Sequence, residues 1–423
     1  MHLLFAALLL RHWLLATDLH VEPGRGRALP AAYARDTNWA LLDSTVAQMR
    51  KADPAPQVVV LSGDFLAHHF ARSVPLAERT MARIARTFDA AFPHAQFVIV
   101  PGNNDDPCGD YRATPGSAYF RYFAHLWAPL VDRNGAAPDF ERSFGEYGWY
   151  TARLPGGLRA IALDSVYWSV VYRRCANYHP DAPQRELRWF AQSLEGLPRG
   201  TRALVVMHIP PGVDPHSTLI THRLLIVPFL SEDVSREITR IFSEHAQAIG
   251  FVIAGHTHRD DFRLFGGVPM LLAPSVSPVY ENNPAFLRLD LASGGVLQDY
   301  RPFFYDEWSG RWRAGQSFDQ TFGVKAFSAA DLATIHARLA ADPELRARWA
   351  RMFMSQSGDR DINSGTWRTY WCAQNELAAG FVGCAGLGRR VELLPVAAGA
   401  AAALVLAGLA LLAVRLGRAR TRS

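Results

Sequence analysis

FVIAGHTH, residues 251–258, runs an apolar, partly β-branched stretch straight into a glycine and two histidines at alternate positions. A short run of this kind reads as a buried strand, and two imidazoles just past its end, behind a glycine, are seldom packing alone. The layout recurs along the chain. HWLLA (12–16) precedes Asp18-Leu19-His20, QVVVLS (57–62) precedes Gly63-Asp64, QFVIVP (96–101) precedes Gly102-Asn103-Asn104-Asp105, and ALVVMH (203–208) ends on His208. Taken singly, a Gly-Asp turn, an Asp-x-His pair or a histidine closing a strand is ordinary. An ordered set of five, each closing an expected strand, points to one crevice at the C-terminal edge of a sheet, where open α/β sheets place their ligands.

Between these runs, and around LRAIAL (158–163), lie helical patterns at 37–52, 75–92, 183–196 and 231–249, several opened by a capping residue or an early proline. Alternating strands and helices predict a layered α/β core, a β-sandwich flanked by helices, over residues 11–295. PMLLAPSV and AFLRLDL continue the sheet after Val268, whereas 328–355 reads as two helices broken near Asp342 and Pro343. Residues 296–390 are therefore expected to be mainly helical. The loops at 102–119 and 210–221, rich in Gly, Pro, Asn and Asp, sit where specificity tends to reside.

With 423 residues and 49% hydrophobic content the chain can bury one large core. The formal charge of +5 owes four of its units to Arg415, Arg418, Arg420 and Arg422, so the rest is close to neutral and a basic nucleic-acid groove has no support.

The donor types choose the chemistry. Carboxylate, amide and imidazole without thiolate suit a catalytic pair of divalent cations, Zn first, with Mn or Fe as alternatives. On an extended segment alternate residues face one side, so Asp18 and His20 can serve one cation. Asp64, with two oxygens, can bridge two cations about 3.5–4 Å apart. Such a pair activates a water and takes up charge on phosphoryl oxygens.

Residues 393–414 carry no charge and are long enough to cross a membrane as a helix. The arginines of tail 415–423 outnumber Arg389 and Arg390, which predicts a cytoplasmic C-terminus and a catalytic domain held outside the cytoplasm. Residues 1–10 are apolar but short and lack a basic start; they read either as a truncated signal segment or as part of one long buried strand reaching Ala16. Four cysteines suit an oxidising compartment, with Cys372 and Cys384 paired by proximity and Cys108 and Cys175 by elimination.

DLH, GD, GNND, the histidine of MHIPPG and GHTH together resemble the calcineurin-like metallophosphoesterase superfamily, and within it the acid sphingomyelinase-like phosphodiesterases and endopolyphosphatases. HIPPG, GHTHRDDF, SVSPVYENNPAF and the pair Cys372 and Cys384 are similar to that branch from about His12 to Cys384. The resemblance implies that Asp18, His20 and His258 hold one metal, that Asn103, His208 and His256 hold the other, and that Asp64 bridges both. It implies that His68, four residues after Asp64, faces substrate, with His69 as its uninvolved neighbour. Most of the superfamily has histidine where this chain has Asn104, and an amide cannot shuttle a proton near neutral pH, so the acid role passes to His68. The expected activity is hydrolysis of a phosphodiester or phosphoanhydride in a phospholipid, a nucleotide or polyphosphate. A phosphomonoesterase, or a metal-bearing receptor without turnover, is the alternative.

Overall fold

The computed structural model describes residues 11–24, 26, 34–70, 73–173, 175, 180–222, 224–358, 360–386 and 392–393. The expected runs form β1 (Arg11–Ala16), β2 (Val58–Leu61), β3 (Gln96–Ile99), β5 (Leu158–Ala162), β6 (Ala203–Val206) and β8 (Ile249–Ala254), and all of these but β5 lead into the motifs; β4 (Tyr150–Leu154) and β7 (Leu225–Ile226) were not expected. β9 (Asp261–Phe265), β10 (Val268–Leu272), β11 (Ala285–Leu291), β12 (Leu297–Asp306), β13 (Arg311–Ala314) and β14 (Glu392–Leu393) complete the set among the described residues.

Two six-stranded sheets result, ordered β13-β12-β11-β1-β2-β3 and β4-β5-β6-β8-β10-β9. The centre of each is parallel: β1, β2 and β3 in the first, β5, β6, β8 and β10 in the second. Strands covered on both faces need no polar side, which is why VVVL of β2 and ALVV of β6 are buried throughout and unbroken by polar residues. Antiparallel strands, among them β11 beside β1 and β9 beside β10, flank these centres. Both sheets and the helices between their strands share one core, which includes Trp13, Phe97, Trp127, Ile161, Phe251 and Leu287. Parallel strands deliver all their C-terminal ends to one edge, so β1, β2, β3, β6 and β8 release their motifs together.

The C-terminal region is less helical than expected. β12 and β13 extend the first sheet before helices Ala329–Ala341 and Pro343–Phe353, which break at Asp342 as expected: its carboxylate accepts from the N–H groups of Glu344 and Leu345. Disulfides join Cys108 to Cys175 and Cys372 to Cys384, the pairings expected.

The expected membrane helix is corrected. No helix among the described residues is long and apolar enough to cross a membrane, and Leu393, first residue of the expected span, pairs with Ile226 in the two-residue strand β14. Hydropathy reports length and polarity but not a strand partner more than 160 positions away in sequence. The single-pass topology, the extracytoplasmic domain and the cytoplasmic C-terminus rested on that helix and fall with it. Residues 394–414, the basic tail and the expected signal segment 1–10 lie outside the described residues.

Candidate metal centre

The donors meet at the shared edge, but not on extended chain. Asp18 (φ 50°), His20 (φ 43°), Asp64 (φ 56°), His256 (φ 70°) and His258 (φ 58°) all occupy the left-handed region. For non-glycine residues this conformation is uncommon, and it gathers where surrounding structure enforces a functional geometry. The strands stop two to four residues before the first donor of each motif, and the donors are delivered by tight turns. Backbone hydrogen bonds link those turns, from Asp18 N to the Gly63 carbonyl and from His20 N to the Asp64 carbonyl, at 3.0 and 2.9 Å. The glycines permit the close approach. A Cβ on Gly102 would lie 2.1 Å from Asp64 Oδ1, and one on Gly255 would lie 2.2 Å from Thr17 Oγ1.

The imidazoles are aimed by carbonyls. His20 Nδ1 donates to Leu66 O at 3.1 Å and His208 Nδ1 to Ser62 O at 2.7 Å, so each presents Nε2 to the centre. There His20 Nε2 lies 3.1 Å from His258 Nε2 and 3.4 Å from Asp64 Oδ2. His208 Nε2 is 3.1 Å from both Asp64 Oδ2 and Asn103 Oδ1. His258 Nε2 is 3.2 Å from Asp18 Oδ1. Asp18, His20 and Asp64 bring donor atoms within 4.8 Å of one another, and so do Asp64, His208 and His256, with Asp64 common to both sets.

The electrostatics ask for cations. Asp18 and Asp64 are buried, which alone would raise their pKa values, yet the neighbouring histidines hold Asp18 well below the ordinary carboxylate range and Asp64 at about 2. Burial works against charge on His20 and His208 too, but the carboxylates, Asp64 foremost, drive both up to about 9. Burial pushes His256 down to about 3, with His208 adding to it, and His258 down to about 4 against the pull of Asp18. Four imidazoles crowd two buried carboxylates, and the two whose pKa values the carboxylates raise, His20 and His208, stand where positive charge is wanted. Convergent Nε2 and carboxylate oxygens without thiolate fit divalent cations of the Zn, Mn or Fe kind. His258 Nδ1 is buried without a hydrogen-bond partner.

His68 stands beside this cluster. Its ring stacks on His20 with centroids 3.9 Å apart, its side chain is 23% exposed, and its Nε2 lies 3.4 Å from the Tyr280 hydroxyl. Asp36 accepts from both His68 N (3.0 Å) and His68 Nδ1 (2.9 Å), which fixes the tautomer and turns Nε2 outward. His20, His68 and His258 also form a set with donor atoms within 4.8 Å, so position alone leaves His68 able to ligate. His69 points away, 77% exposed and paired with Asp110. Asn104 donates from its backbone to Asp64 Oδ1 and accepts from Asn103 Nδ2, each at 2.8 Å.

Sequence reasoning missed three supporting residues. Asp105 accepts four backbone N–H groups, from Asp64, Phe65, Leu66 and Gly102 at 2.7–3.0 Å, and so shapes the Asp64 turn. Burial and the Asp64 carboxylate push its pKa up to about 7 against those four donors. Since every neighbour donates and none can take a proton from it, the geometry favours the ionised form. Ser165 Oγ accepts from the N–H groups of His208 (3.2 Å) and Ile209 (2.7 Å). Asp36 is the third. Of these only Asp105 carried a signal, as the acid ending GNND.

Three relatives place this arrangement among known proteins. "Sphingomyelinase phosphodiesterase D" of Dictyostelium discoideum is 25% identical over 286 residues, 65% of this chain and 61% of that protein. "Sphingomyelinase phosphodiesterase C" of the same organism is 26% identical over 331 residues, 70% of each chain. "Acid sphingomyelinase-like phosphodiesterase 3b" of Mus musculus is 24% identical over 344 residues, 75% of this chain and 73% of that one. The chain thus spans less than two thirds of the first of these. A model of the calcineurin-like phosphoesterases matches residues 13–260, more than half of the chain, and the chain therefore belongs to the calcineurin-like phosphoesterase family.

Proposed function

We propose that the protein is a dinuclear-metal phosphodiesterase that hydrolyses an organic phosphodiester or a phosphoanhydride. The observation that carries this reading is the Asp64 carboxylate, common to two donor sets that share one buried edge. In this reading Asp18, His20 and His258 would hold one cation, Asn103, His208 and His256 the other, and Asp64 both. When bound, such a pair supplies Lewis-acid charge on the phosphoryl oxygens and a water of lowered pKa.

The chain's own residues do the rest. Asp105 and Asn104 hold the Asp64 turn through backbone and side-chain hydrogen bonds, and the carbonyls of Leu66 and Ser62 aim His20 and His208. His68, oriented by Asp36 through Nδ1–H, presents Nε2 toward the face where a leaving group departs, and in its imidazolium form gives the Nε2 proton to the leaving oxygen, returning to the neutral tautomer that Asp36 holds. Tyr280, its hydroxyl near that nitrogen and its ring edge-on to His258, forms one wall of the approach. The names of the relatives support a phosphodiester substrate, with a phospholipid headgroup first and a nucleotide or polyphosphate as alternatives.

The test combines metal analysis of the wild type and the Asp64→Asn variant with rates on a bis-aryl and a mono-aryl phosphate. Wild type should bind two equivalents of metal and prefer the diester. The variant should lose metal and activity together. Full metal occupancy in Asp64→Asn removes the shared role, and a faster monoester reaction overturns the diesterase assignment.

A further inference from the structure

The three residues after His258 are gripped by the C-terminal part of the chain. Arg259 and Asp261 are 7% and 6% exposed and Asp260 is fully buried. The Arg259 guanidinium donates from Nε to Asp361 at 2.8 Å, from one terminal nitrogen to the His258 carbonyl and Asn282 Oδ1, each at 3.4 Å, and from the other to the Tyr280 carbonyl at 3.2 Å. Asp260 N donates to the Phe353 carbonyl at 3.2 Å, and Asp260 Oδ1 accepts from the Tyr300 hydroxyl at 2.8 Å. Asp261 Oδ1 accepts from Trp349 Nε1 at 3.0 Å and from Gln374 Nε2 at 2.9 Å, and both of those side chains are buried.

A surface turn needs no such hold. Burying an arginine–aspartate pair and a carboxylate with two side-chain donors costs desolvation, which complete hydrogen bonding only offsets. What this grip can secure is the adjoining turn, where His256 and His258 both sit in the left-handed region that surrounding structure must enforce. The glycine of the motif does not relieve the strain, because it precedes both histidines. The same part of the chain supplies Phe353, Asp361 and Tyr370 to a cavity of about 190 Å³ that His256, Tyr111 and Tyr280 also line.

We propose that Arg259 and Asp261 are positioning residues for His256 and His258, held by Asp361, Trp349 and Gln374, so that residues 343–374 are a working part of the metal centre. The proposal rests on the reading of His256 and His258 as ligands. The experiment uses the full chain and Zn(II) alone, with affinity measured by competition against a chelator, the melting temperature of the metal-free protein, and kcat and KM at saturating metal. Asp361→Ala should bind Zn(II) about tenfold more weakly, the low end of the range for residues that orient ligands. Its kcat should fall while KM moves less than its kcat does, and Asp361→Glu should recover most of the affinity. Trp349→Phe removes a single N–H from Asp261 and should weaken Zn(II) binding in the same direction; it carries the test if Asp361→Ala does not fold. A lower melting temperature with Zn(II) affinity and kcat unchanged in the folded variants overturns the proposal, because it leaves the grip purely structural. His258→Ala separates the two readings. If that variant binds Zn(II) as well as wild type, the ligand assignment fails; if it loses Zn(II) while the other variants do not, the positioning role alone fails.

Discussion

Asp105 offers the sharpest test of how the centre is built. Its two oxygens accept four backbone N–H groups at 2.7–3.0 Å in a site 2% exposed, with Phe65 and Leu66 on Oδ1 and Asp64 and Gly102 on Oδ2. Asp105→Asn keeps the shape but replaces one oxygen by an NH₂ group. Whichever way the amide lies, two backbone donors then face a donor. Hydrogen bonds to a charged group contribute about 1.5–3 kcal/mol each, so losing two amounts to about 3–6 kcal/mol. That is a large share of the roughly 5–15 kcal/mol by which folded domains exceed their unfolded state. Guanidinium unfolding of the metal-free protein, followed by the fluorescence of its 11 tryptophans, reads this as a lower midpoint with an unchanged slope. Because the Asp105 carboxylate holds the amide of Asp64, the residue common to both donor sets, metal content should fall as well. A loss under about 1 kcal/mol with full metal content would mean that the GNND acid does not shape the Asp64 turn.

Two further outcomes follow from the same geometry. His68→Ala should keep both metals and lose about a hundredfold or more in rate on an alkyl phosphodiester, but much less on an aryl ester whose leaving group needs no proton; equal loss on both esters, or loss of metal, refutes the acid role. Asp164 and Glu186 are buried together, with Asp164 N donating to Glu186 Oε1 at 2.6 Å, and burial followed by their mutual repulsion raises the Glu186 pKa well above 4.5. A carboxyl raised in the folded state costs stability as pH climbs above its unfolded value, so Glu186→Gln should gain melting temperature over wild type by a margin that widens from pH 5 to pH 8; a constant margin refutes it.

What the sequence revealed and hid divides along a physical line. Parallel strands buried on both faces leave uninterrupted apolar runs, so β1, β2, β3, β6 and β8 and the motifs at their ends could be read directly. β12, LQDYRPFFYD, mixes buried positions with part-exposed polar ones, and β13, RWRA, has no buried position and two arginines in four residues, so neither stood out beside helical patterns. The donors were legible as types and order, but not as conformations. Asp18 and His20 share a side because left-handed turns put them there, whereas an extended chain was the expectation. Asp36 and Ser165 act across 32 and 43 or 44 residues through contacts that leave no local pattern, so no spacing rule could have found them. The charge-free stretch from Leu393 failed differently, because composition fixes what a segment could span and says nothing about what its first residue pairs with.

The one departure from the superfamily's pattern is explained by the bonds around it. Asn104 accepts from Asn103 Nδ2 at 2.8 Å, which occupies that NH₂ group and leaves Asn103 Oδ1 as the atom facing His208 Nε2 at 3.1 Å. Its backbone N–H donates to Asp64 Oδ1 at 2.8 Å. The residue therefore sets which end of Asn103 is offered to a cation and steadies the shared carboxylate. An amide does this at every pH, because it accepts and donates at once. A protonated imidazole can only donate, and in that state would compete with Asn103 Nδ2 for an acceptor instead of supplying one. In the proposed reading, proton delivery and ligand orientation, which one histidine would have to combine, are divided between His68 on its Asp36 support and Asn104 beside Asp64. The division follows from hydrogen-bond capacity alone, and it gives an amide at this position a task that a centre emptied of catalysis would not require.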